Sequence, residues 1–321
     1  MRICLIGPGI MPIPPTGWGG VEVLMWNYKL ELEKQGHEVL ICNDYFGNNL
    51  ENKSILDNSI KKINDWKPDF THLHYDCYAD MMPMIESHRA MTSHYPYIDI
   101  PEKRRGYEWI FNKFCQNHSY IFTLSEKNNQ HFSHFGARQN LLWKWIYGVD
   151  ASKFVFSEIP TKPDRTLCLG KIEPRKQQTL LQGLNMNVDF VGPLADSSFN
   201  PTQDYLGSWS RDEVCNNVTN YANMILLSDG ESAPQVTLEA LLSGCGLVVS
   251  EEASANLDRT LPFIDVVDRY TTTTNQLREI VATNREKSIK HRKDILEYGK
   301  SNFELSKCVL DYTKKIESII E

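Results

Sequence analysis

The chain has 321 residues, room for one large domain or two of roughly 150 residues each. A formal net charge of −7 and a pI near 5.8 exclude general attraction to nucleic acid or an anionic membrane, while leaving room for a local basic cleft. The eight cysteines are scattered, with no C-x-x-C pair, and read as reduced core residues of an intracellular protein, not as a disulfide or zinc framework. No stretch is long and apolar enough to span a bilayer, there is no internal repeat, and a first strand starting at Arg2 leaves no room for a signal peptide. A soluble cytoplasmic protein is expected.

Arg2–Ile6 is a short apolar strand that enters a glycine- and proline-rich loop from Gly7 to Gly20. Apolar residues at Val21, Leu24, Met25, Tyr28 and Leu32 have helical spacing, and Gly36 ends that helix. Glu38–Cys42 is a second strand, completing a Rossmann-like opening without the G-x-G-x-x-G fingerprint. Gly17, Gly19 and Gly20 either let the backbone approach a ligand closely or simply permit the turn. A polar helix is expected over 47–67 and a strand over Asp69–His74, with His72 and His74 on one side of it. Residues 81–97 predict a helix and then a short strand ending at His94. A histidine just past a strand's carboxyl end sits where open α/β sheets bind ligands. His72, His74, His88 and His94 lack the H-x-x-x-H or H-E-x-x-H spacing of a metal site, and no metal is expected. Lys103-Arg104-Arg105 predicts a solvated face above an aromatic helix, GYEWIFNKFC. A strand over Tyr120–Leu124 and a helix near 128–135 follow. The segment WKWIYGVDASKF then closes a first domain, with a boundary near 154–164.

The second half opens with a strand over 166–169, a loop, and a helix running to about Gly183 whose start carries Arg175 and Lys176. Basic residues there oppose the helix dipole, so two of them suggest an anion nearby. A strand at Val188–Val191 and a helix within 209–222 lead to LLSDGESAPQVTLEALLSGCGLVVSEE, a strand–loop–helix–strand unit. Its loop carries Glu231 and its helix Glu239, with seven residues between them. Pro234 suits the first helical turn, and the amides of that turn favour an anion. Phosphate on those amides with hydroxyls on the two carboxylates would describe a nucleotide-sugar. The alternative is that Glu231 caps the helix and Glu239 is solvated. Two further helices are expected near 275–298 and 302–320, the last with apolar Leu305, Cys308, Val309, Tyr312, Ile316 and Ile319. Two α/β units in series imply a cleft between them.

Four pieces in order, GWGGVE at 17–22, TSH at 92–94, LGKIEPRK at 169–176 and Glu231-x7-Glu239 with its continuation EALLSGCGLVVS, resemble the retaining nucleotide-sugar glycosyltransferases of family 4. SEKNNQHF, YGVDASKF and FELSKCVLDYTKKI are weaker echoes, and together they cover nearly the whole chain. The resemblance implies a GT-B fold: a Rossmann-like acceptor-side domain over 1–158, a donor-side domain over 159–302, and a helix over 303–321 crossing back toward the interdomain region. It implies a hexosyltransferase that binds a UDP-, GDP- or similar nucleotide-sugar and needs no metal or other cofactor. Arg175 and Lys176 would neutralise the diphosphate, with Lys171 nearby, and Glu239 would hold the ribose hydroxyls. Glu231 would lie by the transferred sugar, with the amides around Gln235 and Val236 near sugar and phosphate. Gly19 and Gly20 would close on the diphosphate, and His94 would contact the sugar near the reacting carbon. The acceptor would be a glycan, a lipid-linked or a small-molecule hydroxyl, with modified DNA disfavoured by the acidic chain. An epimerase or hydrolase on the same scaffold, or a non-catalytic nucleotide-sugar binder, are the alternatives. Departures from the family pattern are Lys171 for an arginine, the stretch Ser232–Gln235 with its proline, and Glu251–Ala255 where a glycine pair is usual.

Overall fold

The computed structural model describes residues 1–43, 53–184 and 186–321, with the backbone alone for 53–55. The chain divides into two compact units, Met1–Tyr147 with Leu305–Glu321, and Gly148–Glu304. In each, alternating apolar strands and amphipathic helices produce a parallel sheet clad by helices, as the βαβ pattern requires.

Among the described residues of the first unit, six parallel strands run in the order β2-β1-β3-β4-β5-β6. They are β1 (Arg2–Ile6), β2 (Glu38–Cys42), β3 (Phe70–Leu73), β4 (His88–Met91), β5 (Tyr120–Thr123) and β6 (Leu142–Lys144). The helices are α1 (Gly20–Lys34), α2 (Lys53–Trp66), α3 (Trp109–Gln116) and α4 (Glu126–His134). The chain goes from β1 to β2 on one side and then to β3 on the other, so the strand order reverses between β1 and β3. The crevice beyond the carboxyl ends of such a pair is where open α/β sheets take ligands. Here it receives the Gly7–Gly19 loop and the residues after Leu73.

Several expectations need correction. Of the helix expected over 47–67, residues 47–52 lie outside the described ones. The helix expected after Met81 is instead a run of 3-10 turns over Asp76–Met84, with Pro83 inside it. Proline cannot donate the backbone hydrogen bond an α-helix needs there. The following strand ends at Met91 and not at His94. The basic cluster is only partly a solvated face, because Arg104 is buried. Its guanidinium donates to the Ile98 carbonyl at 2.9 Å, meets His131 at 3.2 Å and lies over the rings of Phe111 and Phe135.

In the second unit the described strands are β7 (Lys162–Leu169), β8 (Val188–Val191), β9 (Tyr221–Leu226), β10 (Gly246–Ser250) and β11 (Ile264–Val267), in the parallel order β11-β10-β9-β7-β8. The order reverses again, between β7 and β9. Its helices are α5 (Gln178–Gln182), α6 (Arg211–Asn217), α7 (Gln235–Leu242), α8 (Thr274–Lys290) and α9 (Arg292–Phe303). The single helix expected over 275–298 breaks at His291. Beyond the break, the buried Arg292 side chain donates to the carbonyls of Ser157, Thr219, Tyr221 and Ser243 at 2.7–3.3 Å. The unit begins at Gly148, before the expected boundary near 154–164, and the segment between is zipped to it: the Val149 amide donates to the Phe303 carbonyl and the Val155 amide to the Cys215 carbonyl. The terminal helix α10 (Leu305–Ile320) belongs to the first unit, where it packs on α1. Among the described residues no helix is long and apolar enough to cross a membrane.

Candidate functional site

In the second unit the site residues follow the two strands that flank the switch. After β7 the chain turns at Gly170, whose φ of +146° suits glycine, and where an added Cβ would lie 3.2 Å from Lys176 Cδ. Pro174–Lys176 form one 3-10 turn, and Gln177 at φ 59° redirects the chain into α5. The expected continuous helix from 174 is therefore interrupted, and Arg175 and Lys176 sit on the turn before it.

That turn docks against the loop after β9, where the Asp229 amide donates to the Arg175 carbonyl at 2.8 Å. Arg175 donates to the Gly230 carbonyl at 2.7 Å and to Glu173 at 2.6 Å. One oxygen, Glu231 Oε1, lies 2.8 Å from Arg175 Nη1, from Lys176 Nζ and from Ser228 Oγ. Burial pushes the Glu231 carboxyl up, but Lys176 and Arg175 outweigh it and hold the group below the usual carboxylate range. Lys171 stands 3.9 Å from Glu173. Lys171, Arg175 and Lys176 thus stand in one cluster with Glu173 and Glu231. Glu231 is not the helix cap considered above: α7 begins after Pro234 with no side-chain cap, and Glu231 serves the cations instead.

Gln235 and Val236 open α7, half-buried beside this cluster's loop. Glu239 lies one turn on. It is buried, not solvated, and accepts from Arg211 Nη1 at 2.6 Å, while the Arg211 guanidinium covers the Phe154 ring. Arg211 was not among the expected site residues. Its signal was legible, since it follows Ser210 of an S-x-x-E capping box and is another cation at a helix start. The acidic stretch replacing a glycine pair is neutralised locally, Glu251 by Arg259 at 2.8 Å and Glu252 by Arg269 at 3.1 Å.

In the first unit, Gly19 precedes α1, and a Cβ there would meet Glu22 Oε2 at 2.4 Å. At Gly20 a Cβ would meet nothing within 4 Å. His94 lies three residues past β4, and its Nε2 is 3.2 Å from His74 Nδ1. The His72 ring packs 4.0 Å from that of His74 and is held by Tyr312 Oη at 3.0 Å and Thr92 Oγ1 at 2.8 Å. Burial lowers all three histidines, His94 to about 4, so the row is neutral near pH 7. Among the described residues no group of three His, Cys, Asp or Glu is arranged to hold a metal ion. Trp145 is a core residue, donating to Tyr28 Oη at 3.2 Å.

No protein-family model matches the chain, and no curated protein does. Solved structures do. The chain is similar to Anabaena HepE in complex with UDP-glucose (TM-score 0.74, 14% identity, 99% of this chain and 100% of that one). It is also similar to a sucrose-phosphate synthase from Thermosynechococcus elongatus (TM-score 0.79, 12% identity, 99% of each chain). A third is the lipopolysaccharide outer core galactosyltransferase WaaB in its apo form (TM-score 0.70, 15% identity, 99% of each chain). At such identity what is shared is the fold: the chain is a GT-B protein of two Rossmann-like α/β domains.

Proposed function

We propose that the protein is a metal-independent retaining glycosyltransferase that moves a hexose from a nucleoside-diphosphate donor to a hydroxyl acceptor. The observation that carries this reading is the convergence of Arg175 and Lys176 on Glu231 beside the switch of the second sheet. Breaking the bond between the anomeric carbon and the phosphate oxygen puts positive charge on the sugar and negative charge on the diphosphate. Fixed cations aimed at the diphosphate stabilise that transition state more than the ground state. Glu231 keeps both cations oriented before the donor arrives, so little reorganisation accompanies the reaction. In same-face attack the acceptor oxygen bonds to the anomeric carbon as the phosphate leaves, and the departing oxygen takes the acceptor's proton. No protein base is needed. A carboxylate held ionised by two cations and a neutral His94 make a poor acid/base pair for an epimerase, which favours transfer.

Glu239, oriented by Arg211, is assigned to the ribose hydroxyls, and the first turn of α7 at Gln235 and Val236 to phosphate and sugar. Lys171 adds charge near the diphosphate, Gly19 and Gly20 permit close backbone approach, and His94 hydrogen-bonds the transferred sugar. The complexes with UDP and UDP-glucose of the similar Anabaena structure make UDP-glucose the first donor to try. The test is calorimetric binding and slow nucleotide release with UDP-, GDP-, ADP- and dTDP-sugars. Selective binding is expected for one of them, with transfer lowered roughly 100-fold in Lys176→Ala, as for loss of one transition-state donor, and affinity reduced in Glu239→Ala. A folded protein that binds no member of the panel would overturn the reading.

A further inference from the structure

His74 is a buried imidazole with no role in the chemistry above. It follows Leu73, the last residue of β3, and its amide donates to the Ile6 carbonyl at 2.9 Å, so its backbone is fixed where the first sheet reverses. The centres of the His72 and Trp145 rings lie 4.0 and 5.6 Å from that of His74, and only 3% of the residue is exposed. A ring packed in this way has little room to turn. Its Nδ1 meets His94 Nε2 at 3.2 Å, and among the described residues this is the one hydrogen bond of the His74 side chain. His94 is the more open of the two, half-buried where His74 is enclosed.

The neighbouring His72 shows how fully a ring in this row is specified. The Thr92 hydroxyl gives its single hydrogen to the Phe122 carbonyl at 2.8 Å, so it can only accept from His72 Nε2. Burial keeps the His72 ring neutral, and its Nδ1 must then accept from the Tyr312 hydroxyl. With both nitrogens engaged, His72 is a fixed wall behind His74. The contact between His74 and His94 follows the same logic. In a neutral pair one ring donates and the other accepts, so the hydrogen on one imidazole decides the tautomer of the other.

We propose that His74 is a positioning residue for His94: it holds Nε2 from a ring that cannot turn, and so fixes both the orientation of the His94 imidazole and the nitrogen that carries its hydrogen. As an effect on transfer this rests on the reading that His94 contacts the transferred sugar; the hold on His94 does not. No step of the chemistry runs through His74 itself.

The test uses the full chain and the nucleotide-sugar that the binding panel selects. It reads the rate of nucleotide release, UDP affinity, and the His94 ring by long-range proton–nitrogen NMR. His94 is expected in a single tautomer in the unaltered protein and in a mixture in His74→Phe, which keeps the bulk and loses the hydrogen bond. In that variant kcat should fall roughly tenfold, as for a misplaced contact at the reacting sugar, with KM for the donor and UDP affinity changed less than about twofold. His74→Asn, whose amide nitrogen falls near the place of Nδ1, should recover most of the loss. In a His94→Ala background His74→Phe should cost nothing further, whereas a merely structural loss would persist there. His74→Leu takes the place of His74→Phe if that variant does not fold. A mixed His94 tautomer in the unaltered protein, no rescue by asparagine, or a full penalty in the His94→Ala background would overturn the proposal. A His94 ring released by His74→Phe in a protein that turns over no donor would sink the transferase reading and leave the hold on His94 standing.

Discussion

Glu231 and Asp76 are both buried acids, and their environments drive them in opposite directions. Glu231 meets Lys176 and Arg175, so its ionised form is favoured, and the stability it contributes is lost as pH falls through its lowered folded value. Asp76 meets no cation, and burial, only partly opposed by the Ser93 hydrogen bond, pushes it up to about 7. Between its ordinary value near 4 and that pH, the folded chain binds more protons than the unfolded one. Stability therefore falls as pH rises from about 4 to about 7 and is level above, by at most about 4 kcal/mol for a three-unit shift. Asp76→Asn removes this slope, so the difference in urea midpoint between variant and parent should grow across that window. Midpoints that run parallel from pH 4 to 8 would contradict the burial of a titrating Asp76. The acidic identity of both residues was plain in the chain, but not the sign of the shift, which depends on Lys176 and Arg175, distant in sequence, for Glu231 and on the absence of such cations for Asp76.

Among the elements, α1 separates two glycines that look alike in the motif GWGG. A Cβ at Gly19 would crowd the end of the Glu22 side chain, whereas Gly20 faces open space. Gly20→Ala should therefore fold, with a gain of up to about 1 kcal/mol from the better helix former. If a diphosphate approaches this backbone, the same variant must bind the donor more weakly. A variant that is more stable and binds the donor sugar unchanged would remove Gly20 from the site. Most strands of both sheets were legible because short apolar runs bounded by glycine, proline and charge admit few other readings, but β11 (Ile264–Val267) was not expected. Less legible were the run at 76–84 and the break at His291. Pro83 in the first was a visible warning, while the second becomes intelligible only when Arg292 is seen inserted among four carbonyls.

For the molecule as a whole, the return of α10 to the first unit ties the end of the chain to its beginning. Tyr312 is fully buried and meets the rings of Tyr28 and Trp145 at 5.5 and 5.7 Å, with its hydroxyl on His72. Tyr312→Ala removes that packing and leaves His72 Nδ1 without its partner, at a cost of roughly 3–5 kcal/mol. The thermal transition should drop accordingly, and proteolysis should release the last 17 residues first. An unchanged melting temperature would mean that α10 is not part of this core.

What the amino-acid order determined by itself was the local alphabet: two βαβ series, the glycine loop, and the pairing of basic and acidic residues at fixed positions after particular strands. Hydrophobic periodicity and turn chemistry act over a few residues, so they can be read from a few residues. Only the tertiary structure decided that Lys176 and Arg175 meet Glu231 on one oxygen, that Arg211 holds Glu239, and that Arg104 is buried. It also left Asp76 with one oxygen unsatisfied. The first of these follows from strand order, which places the loops after β7 and β9 side by side at the point where the second sheet reverses.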